Sequence, residues 1–305
     1  MKIVVVKRII FLLVFLLGYS AVNAADDLIT KQIIIKLDKA GTLPDKIGST
    51  KKNKITNLKI VGDVNGTDWG FIREMLGMDN FQSVGKGNLS VLDLSETKIV
   101  EGGIGYINSN SYPYAYYTKD NSLGTFAFVG CSGLTSLELP SGITSIEEEA
   151  FEGCSGLTSL ALPSGVTSID DDVFQGCSGL TSLAIPSGVT SIGYNAFSCS
   201  GLSSISVNWE TPPSIDSSVF YEVDKQKCTL YVPKGTFQDY WLADVWGDFE
   251  NIVEYDVTGV DNVTTSTDAK EISRYSVNGQ RLSAPTKGLN IVKYSDGSVK
   301  KVAVQ

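Results

Sequence analysis

Cysteine recurs at a constant spacing in the middle of this chain. Cys131, Cys154 and Cys177 are 23 residues apart, and Cys199 follows one residue early. Thiols stacked on neighbouring segments could form disulfides in an oxidising compartment or bind a metal ion. Zinc is not predicted, because the spacing lacks a short CxxC clip. Parallel neighbouring side chains rarely reach the dihedral angle of a disulfide, so we expect buried thiols that pack as small apolar groups.

Acidic triplets repeat with the same spacing. Glu147–Glu149 precedes Asp170–Asp172 by 23 residues, and the next repeat has Gly193-Tyr194-Asn195 instead. Stacked carboxylates repel each other, and calcium, which prefers oxygen ligands, could relieve that repulsion. Because the acidic column stops after two repeats and no calcium-loop pattern accompanies it, we expect a solvated outer arc and no metal site.

Histidine is absent from the whole chain. The sequence therefore lacks the usual general base, the commonest metal ligand and the one side chain that ordinarily titrates near neutral pH. Carboxylates and lysine remain available for catalysis. An enzyme acting through carboxylates needs two acids in different environments, and the repeats offer no such pair. We predict no catalytic residue, no cofactor and no enzymatic activity.

Tyrosine is concentrated in one irregular segment, residues 101–122, which has no clear period and is rich in Gly, Ser and Asn. Tyrosine suits recognition because it buries a large area at little cost in rotamer entropy and keeps a hydroxyl for hydrogen bonds. The alternatives are rings packed back onto the body of the protein, or stacking on a sugar. The candidate partner-binding residues are Tyr106, Tyr112, Tyr114, Tyr116 and Tyr117.

Near-identical repeats must position all of these residues. The segments that begin at Cys131 and Cys154 agree at 16 of 23 positions, and Phe128, Phe151, Phe174, Phe197 and Phe220 keep the same interval. One such unit cannot bury its apolar face alone, so a fixed period of this length predicts a stacked solenoid.

Each repeat predicts one coil, or rung, of that solenoid. Leu137 and Leu139 are two apart and therefore share the inward face of a strand, which Pro140 ends. Ser136 and Glu138 point outward, and the later repeats place Ser159, Ala161, Ser182, Ala184, Ser204 and Ser206 there. That outward face lacks Trp, Tyr or Arg anchors, so we expect no high-affinity site on the repeats.

The flanks of the array predict caps and accessory segments. Residues 1–24 have the basic start, apolar run and small-residue end of a signal peptide, and the run is short for a membrane anchor. Residues 25–125 form an N-terminal cap with irregular repeats, strands at 33–37, 55–61 and 89–94, and a helix over 69–76 that Thr67 or Asp68 caps. Regular repeats then occupy residues 126–220.

The C-terminal third predicts a second cap and a separate module. Residues 221–256 hold a last strand at 228–233, a helix over 237–245 and the aromatics that close the final rung. Residues 257–270 are polar and aperiodic, as in a linker. Residues 271–305 alternate apolar and polar side chains around Asn278-Gly279 and Asp296-Gly297, which predicts a small β module with hairpin turns.

The net charge narrows the classes of partner. The chain has a formal charge of −9, and removal of residues 1–24 takes away three positive charges and leaves −12. An acidic chain repels nucleic-acid phosphates and anionic membranes. Neither class is therefore expected as a partner, and no membrane span is expected after residue 24.

The repeats resemble the BspA-like leucine-rich repeats of bacterial surface proteins. The unit LxxLxLPxxVxxIxxxxFxxC occurs at 134–154 and 157–177, and with one deletion at 180–199. The flanks at 65–75 and 228–233 are similar to the leader and closing segments of such proteins. The tail, at 275–281 and 287–292, is similar to the C-terminal sorting domains of type IX secretion.

The resemblance implies a secreted or surface-displayed protein that binds other proteins, including host extracellular proteins, and it supplies no catalytic residue. The resulting expectation is an α+β, mostly β fold: a leucine-rich repeat solenoid of 23-residue rungs with short parallel strands, two caps and a small β module. Export to the outer surface or medium is expected, with the periplasm as an alternative. A glycan-binding module that uses the tyrosine segment remains the alternative function.

Overall fold

The structure is a computed structural model that describes residues 28–79, 82–83, 87–107, 115–255, 271–276, 280–294 and 299–304. The predicted signal peptide and linker, and the two predicted hairpin turns of the tail, lie outside the described residues. Short parallel strands stack in sequence order, which confirms the mostly β solenoid. Within the described ranges, no helix is both long and apolar enough to cross a membrane.

The N-terminal region combines three short helices with irregular strands. The helices are α1 (Leu43–Ile47), α2 (Ser49–Lys52) and α3 (Gly66–Met75). The strands are β1 (Ile33–Lys36), β2 (Asn57–Val64), β3 (Met78–Asp79), β4 (Gln82–Ser83), β5 (Val91–Ile99), β6 (Gly102–Ile107), β7 (Tyr116–Thr118) and β8 (Ser122–Leu123). Strands β1, β2 and β5 form a parallel sheet with the first regular repeat, so the predicted irregular rung at 89–94 is confirmed.

Helix α3 begins earlier than its predicted caps, because Asn65 is the N-cap and accepts a hydrogen bond from the Thr67 amide at 3.0 Å. The Asn65 amide in turn donates to the Asp68 carboxylate at 3.0 Å, which completes a capping box. The fully buried Asp68 carboxylate also accepts from the amides of Gly41 and Leu43, at 2.5 and 2.9 Å. One side chain therefore fixes both the helix start and the chain before α1.

The regular repeats contribute two strands per rung. The longer ones are β9 (Ser136–Glu138), β11 (Ser159–Ala161), β13 (Ser182–Ile185) and β15 (Ser204–Val207). The shorter ones are β10 (Ser145–Ile146), β12 (Ser168–Ile169) and β14 (Ser191–Ile192). Strand β8 pairs in register with β10, so the regular array already begins at Ser122, inside the segment expected to be an insertion loop.

A ladder of turns forms the third side of each rung. The amides of Phe128, Phe151 and Phe174 donate to a carbonyl of the next rung at 2.8 to 3.0 Å. Phe128, Phe151, Phe174, Phe197 and Phe220 stack with ring centroids 5.2 to 5.8 Å apart and interplanar angles of 20° or less. This ring column runs through the core and explains why phenylalanine keeps its interval across the deletion near Cys199.

Glycine occupies the points where rungs approach most closely. A Cβ added to Gly156, Gly179 or Gly201 would lie 2.1 to 2.3 Å from a serine carbonyl oxygen of the preceding rung. The equivalent Gly133 has no atom within 4 Å of such a Cβ. Three of these four repeated glycines are therefore dictated by rung spacing, and the first is not.

The C-terminal cap closes the ring column with aromatic side chains. It consists of β16 (Thr229–Pro233), α4 (Phe237–Leu242), a 3-10 turn (Trp246–Asp248) and β17 (Asn251–Tyr255). Trp246 is fully buried, packs against Phe220 at 5.4 Å and donates its indole N–H to the Pro213 carbonyl at 2.8 Å. Trp241, expected among the capping aromatics, is instead 54% exposed.

The tail is a four-stranded antiparallel sheet, in agreement with the expected β module. Its strands are β18 (Glu271–Ser276), β19 (Arg281–Leu282), β20 (Gly288–Tyr294) and β21 (Val299–Val304), in the order β19-β18-β20-β21. The buried Arg274 side chain donates to Glu271 at 2.7 Å and to Asn290 at 3.1 Å. The bond to Asn290 joins two neighbouring strands of the module, whereas the bond to Glu271 lies within one strand.

Candidate functional site

The tyrosine segment forms a two-stranded ribbon, with Gly102 opposite Thr118 and Ile107 opposite Tyr116. Its start is fixed by α3, because the Ile104 amide donates to the Thr67 hydroxyl at 3.1 Å. Gly103 has a φ of 75°, and a Cβ there would lie 2.6 Å from the Asn65 side chain. Only glycine fits this combination of backbone conformation and close approach.

The inner side of the ribbon is packed. Tyr106 is 6% exposed and donates its hydroxyl to the Thr125 carbonyl at 2.6 Å. Burial raises the pKa of Tyr106 well above its ordinary value. The Tyr116 ring meets Phe126 edge to face at 4.9 Å. These two candidate residues anchor the ribbon to the first regular rung. Because Tyr106 is buried, it can affect the binding of a partner only by holding the ribbon in place.

The outer side of the ribbon presents apolar side chains to solvent. Tyr117 is 54% exposed and Ile104 is 68% exposed. Ile104 did not stand out in the sequence, because a single isoleucine among glycines has no periodic neighbours. The candidates Tyr112 and Tyr114 lie outside the described residues.

A cleft of about 350 Å³ separates the ribbon from α3. Phe71, Glu74 and Met78 line one side of it, and Ile104 and Tyr106 line the other. Lys52 forms an ion pair with Glu74 and places its ammonium group 5.7 Å from the centre of the Phe71 ring. Arg73 and Asp79 also line the cleft, so apolar and charged side chains share its walls. This mixed lining suits an inserted side chain that has both an apolar and a polar part.

The outward strand face extends beyond the repeats and gains anchors there. Strand register places Tyr231 beside Ser206 and Val253 beside Tyr231. The expectation of a face without aromatic anchors therefore holds for the repeats and not for the cap. The signal was present in the sequence, since Leu230 and Val232 point inward and so turn Tyr231 outward.

The other end of the outward strand face is charged. Lys59 lies beside Asp93, and Asp93 beside Glu138. The Lys59 ammonium contacts Asp93 at 3.0 Å and Glu96 at 2.8 Å, and hydrogen bonds to Glu96 and Asp93 raise the pKa of Lys59. Burial raises the pKa of Glu138, and the nearby Asp93 adds to that shift.

The acidic triplets are less solvated than expected. The Glu147 side chain is 14% exposed, and its carboxylate accepts from Lys119 at 2.9 Å and Ser122 at 2.8 Å. Asp171 accepts from the Tyr194 amide of the next rung at 2.7 Å. The described residues contain no group of three or more carboxylates or thiols placed to hold a metal ion.

Glu149 has an unusual backbone and an unusual carboxyl group. Its φ is 52°, in the left-handed region, as are those of Phe126, Asp172 and Asn195 at the same position of other rungs. Partial burial, a hydrogen bond with Glu152 and the charge of that neighbour raise the pKa of Glu149 to about 8.

All five cysteines are free and buried, as expected. The thiols of Cys154, Cys177 and Cys199 lie 3.0 to 3.2 Å from the phenylalanine carbonyl of the preceding rung and donate to it. Burial raises the pKa of Cys131 to about 12 and that of Cys228 to about 11. Such thiols are poor nucleophiles, because the thiolate is the reactive form.

Comparison with known families identifies the repeats. Residues 121–243 match the BspA type leucine rich repeat region in six copies. No curated protein matches the chain at a significant level.

Three solved structures illustrate the similarity. A leucine-rich repeat protein of T. pallidum is 22% identical, with 58% of this chain and 59% of that one covered and a TM-score of 0.32. The pneumococcal vaccine antigen PcpA is 16% identical, with 73% and 60% covered and a TM-score of 0.37. A leucine-rich repeat protein of Bacteroides ovatus is 18% identical, with 48% and 62% covered and a TM-score of 0.23. The match spans about three fifths of the length of each of these proteins.

Proposed function

We propose that this chain, whose residues 121–243 match the BspA type leucine rich repeat region, is an exported, non-enzymatic protein that binds a protein partner through its tyrosine ribbon. The signal-like residues 1–24 support export. A host extracellular or surface protein is the class of partner that the resemblance favours.

One observation carries this proposal: the ribbon packs against the solenoid on one side and exposes apolar side chains on the other. Tyr106 and Tyr116 anchor it to the solenoid, while Ile104, which lines the cleft, and Tyr117 are exposed to solvent. A rigid aromatic group binds with little loss of conformational entropy, and aromatic anchors next to pockets carry most of the energy of typical interfaces.

Replacement of the exposed pair tests the proposal. The chain without residues 1–24 is immobilised and probed with a panel of extracellular matrix proteins and with a glycan array. Tyr117→Ala combined with Ile104→Ser should weaken protein capture by about ten-fold or more, because truncation of a central anchor commonly costs over about 1.4 kcal/mol.

Tyr194→Ala is the matched control, since Tyr194 is 59% exposed on the outer arc of the solenoid, away from the ribbon. The control should bind as the parent chain does. Equal losses in both variants, or none in either, would contradict a ribbon site. Capture of glycans with the same dependence on Tyr117 would favour the sugar-binding alternative.

A further inference from the structure

The tail module lies against the outward strand face. A groove of about 270 Å³ has Ser136, Glu138 and Ser159 on one wall and Tyr275, Gln280 and Arg281 of the module on the other. The solenoid side consists of β9 and β11 and the turns that follow them. This is the stretch of the face that has small side chains and no aromatic anchor, so a sheet can approach it closely.

The two parts of the chain carry opposite charge. Residues 25–255 contain 29 acidic and 15 basic residues, whereas residues 271–305 contain six basic and two acidic residues. Their net charges are −14 and +4. Opposite net charges attract over about a Debye length, which favours encounter between the two surfaces.

The tether keeps the module close to that surface. Residues 256–270 separate the end of β17 from the start of β18. A tether of this length reaches at most about 50 Å and gives a module an effective local concentration on the order of millimolar. Weak contacts therefore suffice to hold the module on the face.

The opposite charges of Arg281 and Glu138 orient the module on the outward strand face. The charged end of the face holds Asp93, Glu96 and Glu138, and Lys59 forms ion pairs there with Asp93 and Glu96. Glu138 is half-buried, and the positive charges of Lys59 and, to a smaller extent, Arg281 oppose the effect of burial on its pKa. Arg281 thus adds a second cation near Glu138, from the module side of the groove that both residues line.

We propose that the C-terminal β module docks on the outward strand face through Arg281 and Glu138 and covers its first two regular rungs in the intact chain. The module then acts as an intramolecular cover, and any partner of those rungs must displace it. None of the described ribbon residues lines this groove, so the inference stands apart from the proposed function.

Cross-linking in the whole chain tests the docked arrangement. Gln280→Cys is paired with Ser159→Cys, and in a control with Asn251→Cys, which is exposed on the same face four paired strands further on. A short bis-maleimide should join Gln280→Cys to Ser159→Cys within the monomer and leave the control pair unjoined. The native thiols are buried and stay unmodified in the folded protein.

Charge reversal separates electrostatic docking from chance proximity. Arg281→Glu should slow cross-linking by about five-fold, because it replaces the attraction to Glu138 across the groove by a repulsion. Glu138→Arg should do the same without any change to the module, and the double reversal Glu138→Arg/Arg281→Glu should restore the rate. Equal rates for the test and control pairs, or rates indifferent to both reversals, would overturn the proposal.

Discussion

At the scale of single residues, the rungs contain two kinds of position. Phenylalanine is the same in successive rungs because each ring stacks on its own copy, and cysteine is the same because each thiol donates to the phenylalanine carbonyl of the preceding rung. The acidic positions differ in role from rung to rung. Glu147 accepts hydrogen bonds from Lys119 and Ser122, whereas burial raises the pKa of Asp170, the equivalent residue of the next rung. Identical spacing therefore does not mean identical chemistry.

Glu149 should make folding stability depend on pH. Its pKa of about 8 in the folded protein lies above its ordinary value of 4.5. The folded state thus holds a proton that the unfolded chain releases, and stability falls as pH rises from about 4.5 through about 8. Glu149→Gln removes that titration. In urea unfolding across this pH range, the free energy of unfolding of the variant should therefore depend less on pH, and above pH 8 the variant should be more stable than the parent chain.

The exposed Glu210 provides the control for that experiment. Glu210→Gln should leave the slope of stability against pH unchanged. A slope in Glu149→Gln equal to that of the parent chain would show that the Glu149 carboxyl titrates normally.

At the scale of elements, the repeat unit was largely predictable. The LxxLxL spacing, the proline and the turn residues predict the strands at 136–138, 159–161 and 182–185 to within a residue or two. The helix at 66–75 and the β module were also predictable in kind. The ribbon at 102–118 was not, because its pairing depends on Thr67 and on the packing of Tyr106 rather than on a local pattern.

Substitution of a repeat glycine should lower stability only where the backbone of the preceding rung lies close to that glycine. Gly179→Ala would place a methyl group 2.2 Å from the Ser155 carbonyl oxygen, and backbone atoms cannot move aside without shifting a whole rung. We expect a loss of about 1–3 kcal/mol in the free energy of unfolding, as for other overpacked sites.

Gly133→Ala is the matched control, since Gly133 occupies the same place in the first repeat with open space around it. Its effect should stay within about 0.5 to 1 kcal/mol and can be stabilising, because alanine restricts the unfolded chain. Equal losses in the two variants, measured by urea unfolding, would contradict the assigned contact between rungs.

At the scale of the whole molecule, the sequence predicted a solenoid but not the length of its outward face. The repeats account for four strands of that face, from Ser136 to Val207. The register that adds Lys59 and Asp93 at one end and Tyr231 and Val253 at the other arises between segments without sequence similarity. Long-range pairing of that kind is set by which strand edges remain open, and a local pattern does not encode it.

Distances along the outward face test the stacked architecture most directly. Ser159, Ser182, Ser204, Thr229 and Asn251 occupy one register position on five successive strands. Spin labels on Ser159→Cys paired in turn with Ser182→Cys, Ser204→Cys, Thr229→Cys and Asn251→Cys should report separations that grow by about 4.8 Å per strand. Separations that fail to increase in that order would contradict the solenoid and every inference drawn from it.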